Sequence, residues 1–156
     1  MKGVFDKPGL VQLLRTQFQL DWRGIHGAPH WARVRHHGRY LARTRGADAL
    51  VVELFALLHD SQRENDWHDP RHGQRAAEFA AGLNGSFFDL GAQQLDRLSF
   101  AMIGHSDGHM SADATVQCCW DADRLDLGRV GIMPHSALLS GEAADRIDYA
   151  YVLSRR

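Results

Sequence analysis

Apolar residues recur along the chain at helical spacing, and polar or glycine-containing breaks cut that pattern into segments. Leu10, Leu13, Leu14 and Phe18 mark a first helix, with Pro8 suited to its first turn. The stretch DWRGIHGAP interrupts the pattern, and Pro29 then opens a second helix to about Arg43 with Val34 and Leu41 facing inward. Beyond Gly46, ADALVVELFALLHD is apolar nearly all round and reads as a central, buried helix. The polar SQRENDWHDPRHG, which carries Pro and Gly, reads as a loop. Helical patterns resume in QRAAEFAAGL, AQQLDRLSFAMIGH and ADATVQCCWDADRLDLG, and the tail adds GIMPHSALLSG and an amphipathic EAADRIDYAYVL. Alternating β-branched stretches are missing. The pattern predicts an all-α fold, with residues 1–156 forming a single compact bundle of six to seven helices.

Composition narrows the function classes. A chain of 156 residues, 44% of them hydrophobic, can build a core without a disulfide or metal staple. Eighteen Lys and Arg against nineteen Asp and Glu leave a net charge of −1, so no strong field favours nucleic acid or an anionic membrane. The only cysteines, Cys118 and Cys119, are neighbours that point apart on a helix; they suit burial in a reducing compartment better than a bridge or a metal site. MKGVFDKPGL lacks the apolar stretch of a signal peptide, and no run approaches the ~20 apolar residues of a membrane span, so a cytoplasmic location is expected. Ten histidines are the compositional oddity and raise the question of a metal.

Three places put polar groups on apolar faces. Val52, Phe55 and His59 share the inward face of the central helix, and Asp60 follows directly. Burial there is costly unless the pair finds partners or a metal; a histidine at a helix C-terminus beside a solvated aspartate is the plainer alternative. Asp123 lies on the stripe of Val116, Cys119, Trp120 and Leu127, whereas Asp121, Arg124 and Asp126 fall nearer its flanks. Such an acid needs either a distant arginine or a cation. His30 stands in the first turn of the second helix, on the face continued by Val34, His37 and Leu41. His26 lies four residues earlier, but Gly27 and Pro29 argue against one regular helix through both, and no HExxH motif occurs.

The order His30, then His59-Asp60, then Asp123, in the stretches HWARV, LFALLHD and DADRLD, resembles the HD-domain superfamily of metal-dependent phosphohydrolases. The resemblance runs from about residue 26 to 127. It implies that His30, His59, Asp60 and Asp123 bind one divalent metal within a helical bundle. Two imidazoles and two carboxylates suit a six-coordinate Mn²⁺, Fe²⁺, Co²⁺ or Mg²⁺ better than tetrahedral Zn²⁺, although Ni²⁺ or Zn²⁺ can be acquired. Some members carry two further histidines that hold a second metal bridged by the doublet's aspartate. His72 and His105 occupy comparable places, leaving open one metal or two, or a role in binding the substrate's phosphate.

The implied activity is hydrolysis of a small-molecule phosphate ester, such as a nucleotide, with Asp60 holding the nucleophile in line. Arg63 is the first candidate for a bidentate phosphate contact, and Glu64 or Asp66 for orienting the attacking water. His36, His37, His68 and His135 read as surface or structural, and IDYAYVL offers an apolar face for a homodimer. The alternatives are a metal-binding regulatory module without turnover, and a di-iron oxygenase on the same fold.

Overall fold

The computed structural model describes residues 5–156. Helices α1 (Lys7–Gln17), α2 (Ala28–Arg45), α3 (Ala49–Leu58), α4 (His72–Leu83), α5 (Ala92–Gly104) and α6 (Ala114–Leu125) are followed by two shorter ones, α7 (Gly141–Ala144) and α8 (Ile147–Ser154). No strand forms among the described residues beyond an isolated bridge between Asn84 and Phe88, in keeping with the all-α expectation. Among the described residues, no helix is long and apolar enough to cross a membrane.

The central position of α3 follows from its sequence. Every residue from Leu54 to Leu58 is buried, and the helix packs against α2, α5 and α6. Its start is fixed by Asp48, whose carboxylate accepts from the Leu50 and Val51 amides and also from the Gln94 side chain on α5. The turn between α2 and α3 needs Gly46, which sits at φ +67°, where a side chain is strained. A Cβ at Gly38 would lie 2.6 Å from a Val52 methyl, so glycine there lets α2 and α3 approach closely.

Two tail segments differ from the helical pattern read in the sequence. ADATVQCCWDADRLDLG is not one helix: α6 ends at Leu125 and a 3-10 turn runs from Asp126 to Val130. EAADRIDYAYVL divides into α7 and α8, the former capped by the Ser140 hydroxyl. The first break matters chemically, because tightening the chain at Asp126 turns its carboxylate inward; Asp126 is wholly buried. Asp121 is wholly buried as well, bonded to Gln117, Ser140 and Arg45. Asp123 is therefore not the lone buried acid of this segment.

Candidate metal centre

His30 reaches the interior from the first turn of α2, His59 and Asp60 from the end of α3, and Asp123 from the last turn of α6. His30 and His59 are fully buried and Asp60 is 2% exposed, while the Asp123 side chain, 14% exposed, opens onto a cavity. The four meet. The Nε2 of His30 lies 3.1 Å from the Nε2 of His59, 3.3 Å from Asp60 Oδ2 and 3.2 Å from Asp123 Oδ1. The Nε2 of His59 lies 3.5 Å from Asp60 Oδ2 and 3.3 Å from Asp123 Oδ1.

His72 and His105 join them on the far side of Asp60. Each places its Nε2 3.4 Å from Asp60 Oδ1, and the two Nε2 atoms are 2.8 Å apart. The two oxygens of Asp60 thus face two different sets of donors. Gly73 makes this possible: a Cβ there would meet the Met102 carbonyl at 2.2 Å, so only glycine lets the start of α4 sit against the end of α5.

The hydrogen bonds behind these imidazoles set what their front atoms can do. His30 Nδ1 lies 2.7 Å from Asp126 Oδ2, and His59 Nδ1 lies 2.9 Å from the Phe55 carbonyl. His72 and His105 point Nδ1 at the Asp69 and Met102 carbonyls, at 2.5 and 2.6 Å. An oxygen of this kind needs a donor, so Nδ1 is the protonated nitrogen in each ring, and a neutral imidazole so held turns its Nε2 lone pair to the centre. Facing lone pairs and carboxylates repel unless a cation lies among them. His30, His59 and Asp60 could hold a metal ion, as could His59, His105 and Asp123, or Asp60, His72 and His105. The spacing fits: bonds of about 2.1 Å at right angles put neighbouring ligand atoms about 3.0 Å apart.

Electrostatics makes the same demand. Burial and the Arg129 guanidinium push the His30 imidazole down, but Asp123, Asp126 and Asp60 outweigh them and carry it up to about 9. Burial opposes the charge of Asp60, yet His59 and the bonds to His105, His30 and His72 hold its carboxyl well below the usual range. Asp123 is held low against burial by His59 and His30. A pocket that draws a proton onto the His30 imidazole this strongly is one in which a divalent ion could take that proton's place.

Among solved structures, the chain is similar to a predicted HD superfamily hydrolase from an uncultured Thermotogales bacterium. The TM-score is 0.71 and the identity 24%, over 94% of this chain and 85% of that one. The fold is HD-type. No family model and no curated protein matches the chain.

Within this HD-type bundle, a cavity of about 320 Å³ opens beside the cluster, lined by Asp60, His105, Asp123, Arg63, Ser106 and Arg129 among others. Arg63 lines this cavity, its Nε 3.3 Å from Asp60 Oδ1. Glu64 and Asp66 are not among the lining residues. Asp66 instead bonds His26 Nδ1 at 2.8 Å, and the Glu64 carboxylate, 59% exposed, faces Arg75 at 3.7 Å. The loop curls back on Asp69, which accepts from the Glu64 amide and from Arg75, and this carries both carboxylates away from the centre. His36, His68 and His135 are exposed, whereas His37 is buried.

Sequence reasoning missed Asp126, which holds His30, and Ser106, Arg124 and Arg129, which line the cavity. Arg124 donates to the Leu138 and His109 carbonyls, and Arg129 to those of Ile25 and Asp126. Neither bears a motif signal: Arg124 is held by carbonyls 14 and 15 residues along the chain, and Arg129 by that of Ile25, 104 residues back.

Proposed function

We propose that the chain hydrolyses small-molecule phosphate esters at a divalent-metal centre held by His30, His59, Asp60 and Asp123. His72 and His105 complete a second ion's site that shares Asp60. The observation that carries this reading is Asp60 itself, whose Oδ2 faces His30 and His59 and whose Oδ1 faces His72 and His105. Mn²⁺, Fe²⁺, Co²⁺ or Mg²⁺ suits this nitrogen and oxygen set. Bound there, the metal supplies Lewis acidity toward a phosphoryl oxygen and lowers the pKa of water.

The protein's own groups do the rest. Arg63 and Arg129 are each tethered through Nε and one Nη, which leaves three N–H bonds per guanidinium for phosphate oxygens. Tethering removes much of the entropy a free arginine would lose on binding. Asp60 orients the nucleophilic water in line with the phosphorus, and His105 and Ser106 border the space the ester occupies. A neighbouring hollow of about 300 Å³ shares Arg63 and Ser106 and is flanked by Trp67, whose ring is 86% exposed. That ring is a stacking surface for a nucleobase, which favours a nucleotide substrate.

The test is a screen of nucleotides and simple aryl phosphates with and without chelator. Phosphate release abolished by chelation and restored by Mn²⁺ or Co²⁺ is expected, with Trp67→Ala raising KM for nucleotides alone. Metal binding without turnover on any ester would make the chain a regulatory module. The complete six-residue set also satisfies what a di-iron oxygenase of this fold requires; oxygen consumption by anaerobically purified, iron-loaded protein would select that reading instead.

A further inference from the structure

The outer face of α2 carries a cationic cleft that the metal centre does not use. Arg35, Arg39 and Arg43 recur at four-residue intervals and so share one face of the helix. Together with Arg146, at the start of α8, and the rings of Tyr40 and Tyr149 they line a cleft of about 460 Å³. No acid lines it. Glu53 is engaged with Arg35 at 2.6 Å and Lys7 at 3.1 Å, and Asp145 and Asp148, although adjacent to Arg146 in sequence, do not reach the cleft. Among the described residues, Arg39, Arg43 and Arg146 make no ion pair.

Arg146 is held in place without being neutralised. Its guanidinium lies 3.7 Å from the centre of the Tyr40 ring and 4.7 Å from that of Tyr149, and its buried Nε has no hydrogen-bond partner. The Tyr149 hydroxyl is fixed in turn by His36 Nε2 at 2.7 Å. A guanidinium fixed by two aromatic faces, with unused N–H groups and three further arginines beside it, is preorganised for an oxyanion. Like charges at four-residue spacing repel, and a multiply charged anion lying across them removes that repulsion. The site is remote from the chemistry: at 1.5 Å per residue, Arg39 lies about 14 Å along α2 from His30.

We propose that this cleft binds a small, multiply charged phosphate compound, at a site separate from the metal centre. A concave space of this size encloses a diphosphate or triphosphate group. A net charge of −1 provides no broad positive field of the kind that holds a nucleic-acid backbone, which favours the small anion over a polymer.

Calorimetric titration of the full chain with inorganic pyrophosphate tests the proposal, comparing wild type, Arg39→Gln/Arg43→Gln, Arg146→Gln and Arg63→Gln. The expected result is a binding event that survives Arg63→Gln, weakens by about tenfold or more in the Arg39/Arg43 double variant, and fades as salt rises. Arg39 and Arg43 are exposed and touch no partner, so the double variant keeps its fold even if Arg146→Gln disturbs the tyrosines. Wild-type affinity in the double variant, loss of binding through Arg63→Gln alone, or no binding by wild type would each overturn it. So would tighter binding of a single-stranded oligonucleotide than of pyrophosphate.

Discussion

Replacing Gly73 by alanine should separate the two halves of the centre without touching a ligand. The added Cβ would lie 2.2 Å from the Met102 carbonyl oxygen and 3.2 Å from the Ile103 Cα. An ordinary carbon–oxygen contact is about 3.3–3.6 Å, so α4 and α5 must part by about 1 Å. His72 rides on α4, and His105 is bonded through Nδ1 to the same Met102 carbonyl that takes the clash. The two Nε2 atoms, now 2.8 Å apart and each 3.4 Å from Asp60 Oδ1, would move out of register by half a metal–ligand bond. Alanine gains about 1 kcal/mol of helix propensity, and overpacking costs about 1–3 kcal/mol, so stability should fall by no more than about 2 kcal/mol. A 1 Å misplacement costs turnover about 10²-fold. Phosphate release at saturating metal, metal content per chain and a thermal melt measure the three quantities. We expect a modestly destabilised protein that keeps the His30, His59, Asp123 half and loses the other ion together with most activity. Two ions and near wild-type turnover in Gly73→Ala would show that the α4–α5 contact does not position His72 and His105.

Three further outcomes follow from single groups. Asp60→Asn, assayed at saturating metal, should lower turnover by ~10² or more, whereas exposed His135→Ala stays near wild type; a fully active Asn variant would make Asp60 structural. Asp126 uses one oxygen for His30 and the other for Arg33, and an amide has only one, so Asp126→Asn should weaken metal binding by about 10–100-fold in a direct titration, a prediction that unchanged affinity would defeat. His37 is buried with neither ring nitrogen bonded, and burial lowers its pKa to about 4. The unfolded chain takes up that proton near pH 6.5 and the folded chain does not until about 4, so stability is full above 6.5 and declines as pH falls through this window. The difference amounts to about 3 kcal/mol; urea unfolding at pH 7.5 and 5 should show His37→Phe losing less on acidification, and parallel losses would exclude His37 as the source.

The sequence made some of this legible and not the rest, for identifiable reasons. An apolar run as continuous as ADALVVELFALLHD permits only a buried helix, and its polar end therefore announces a site. His30 and Asp123 stood out because their helical neighbours are apolar. Asp126 did not, because helical spacing put it on a flank and the change to a 3-10 turn that buries it leaves no mark in the periodicity. Charge alone marks the loop after Asp60, whereas Asp66 and Glu64 are directed by His26 and Arg75, which lie outside that loop. The approach of His72 to His105 depends on a missing Cβ at Gly73, whose effect requires knowing that Met102 is opposite it.

The proposed function rests on six side chains forming one centre for two ions, with Asp60 shared between them. Anomalous diffraction from crystals of the protein loaded with Mn²⁺ or Fe²⁺ tests it most directly. Two peaks are expected, one within about 2.0–2.6 Å of His30, His59 and Asp123 and the other within the same distance of His72 and His105, with Asp60 reaching both. A single peak, or a metal bound with Asp123 more than about 5 Å away, would contradict it.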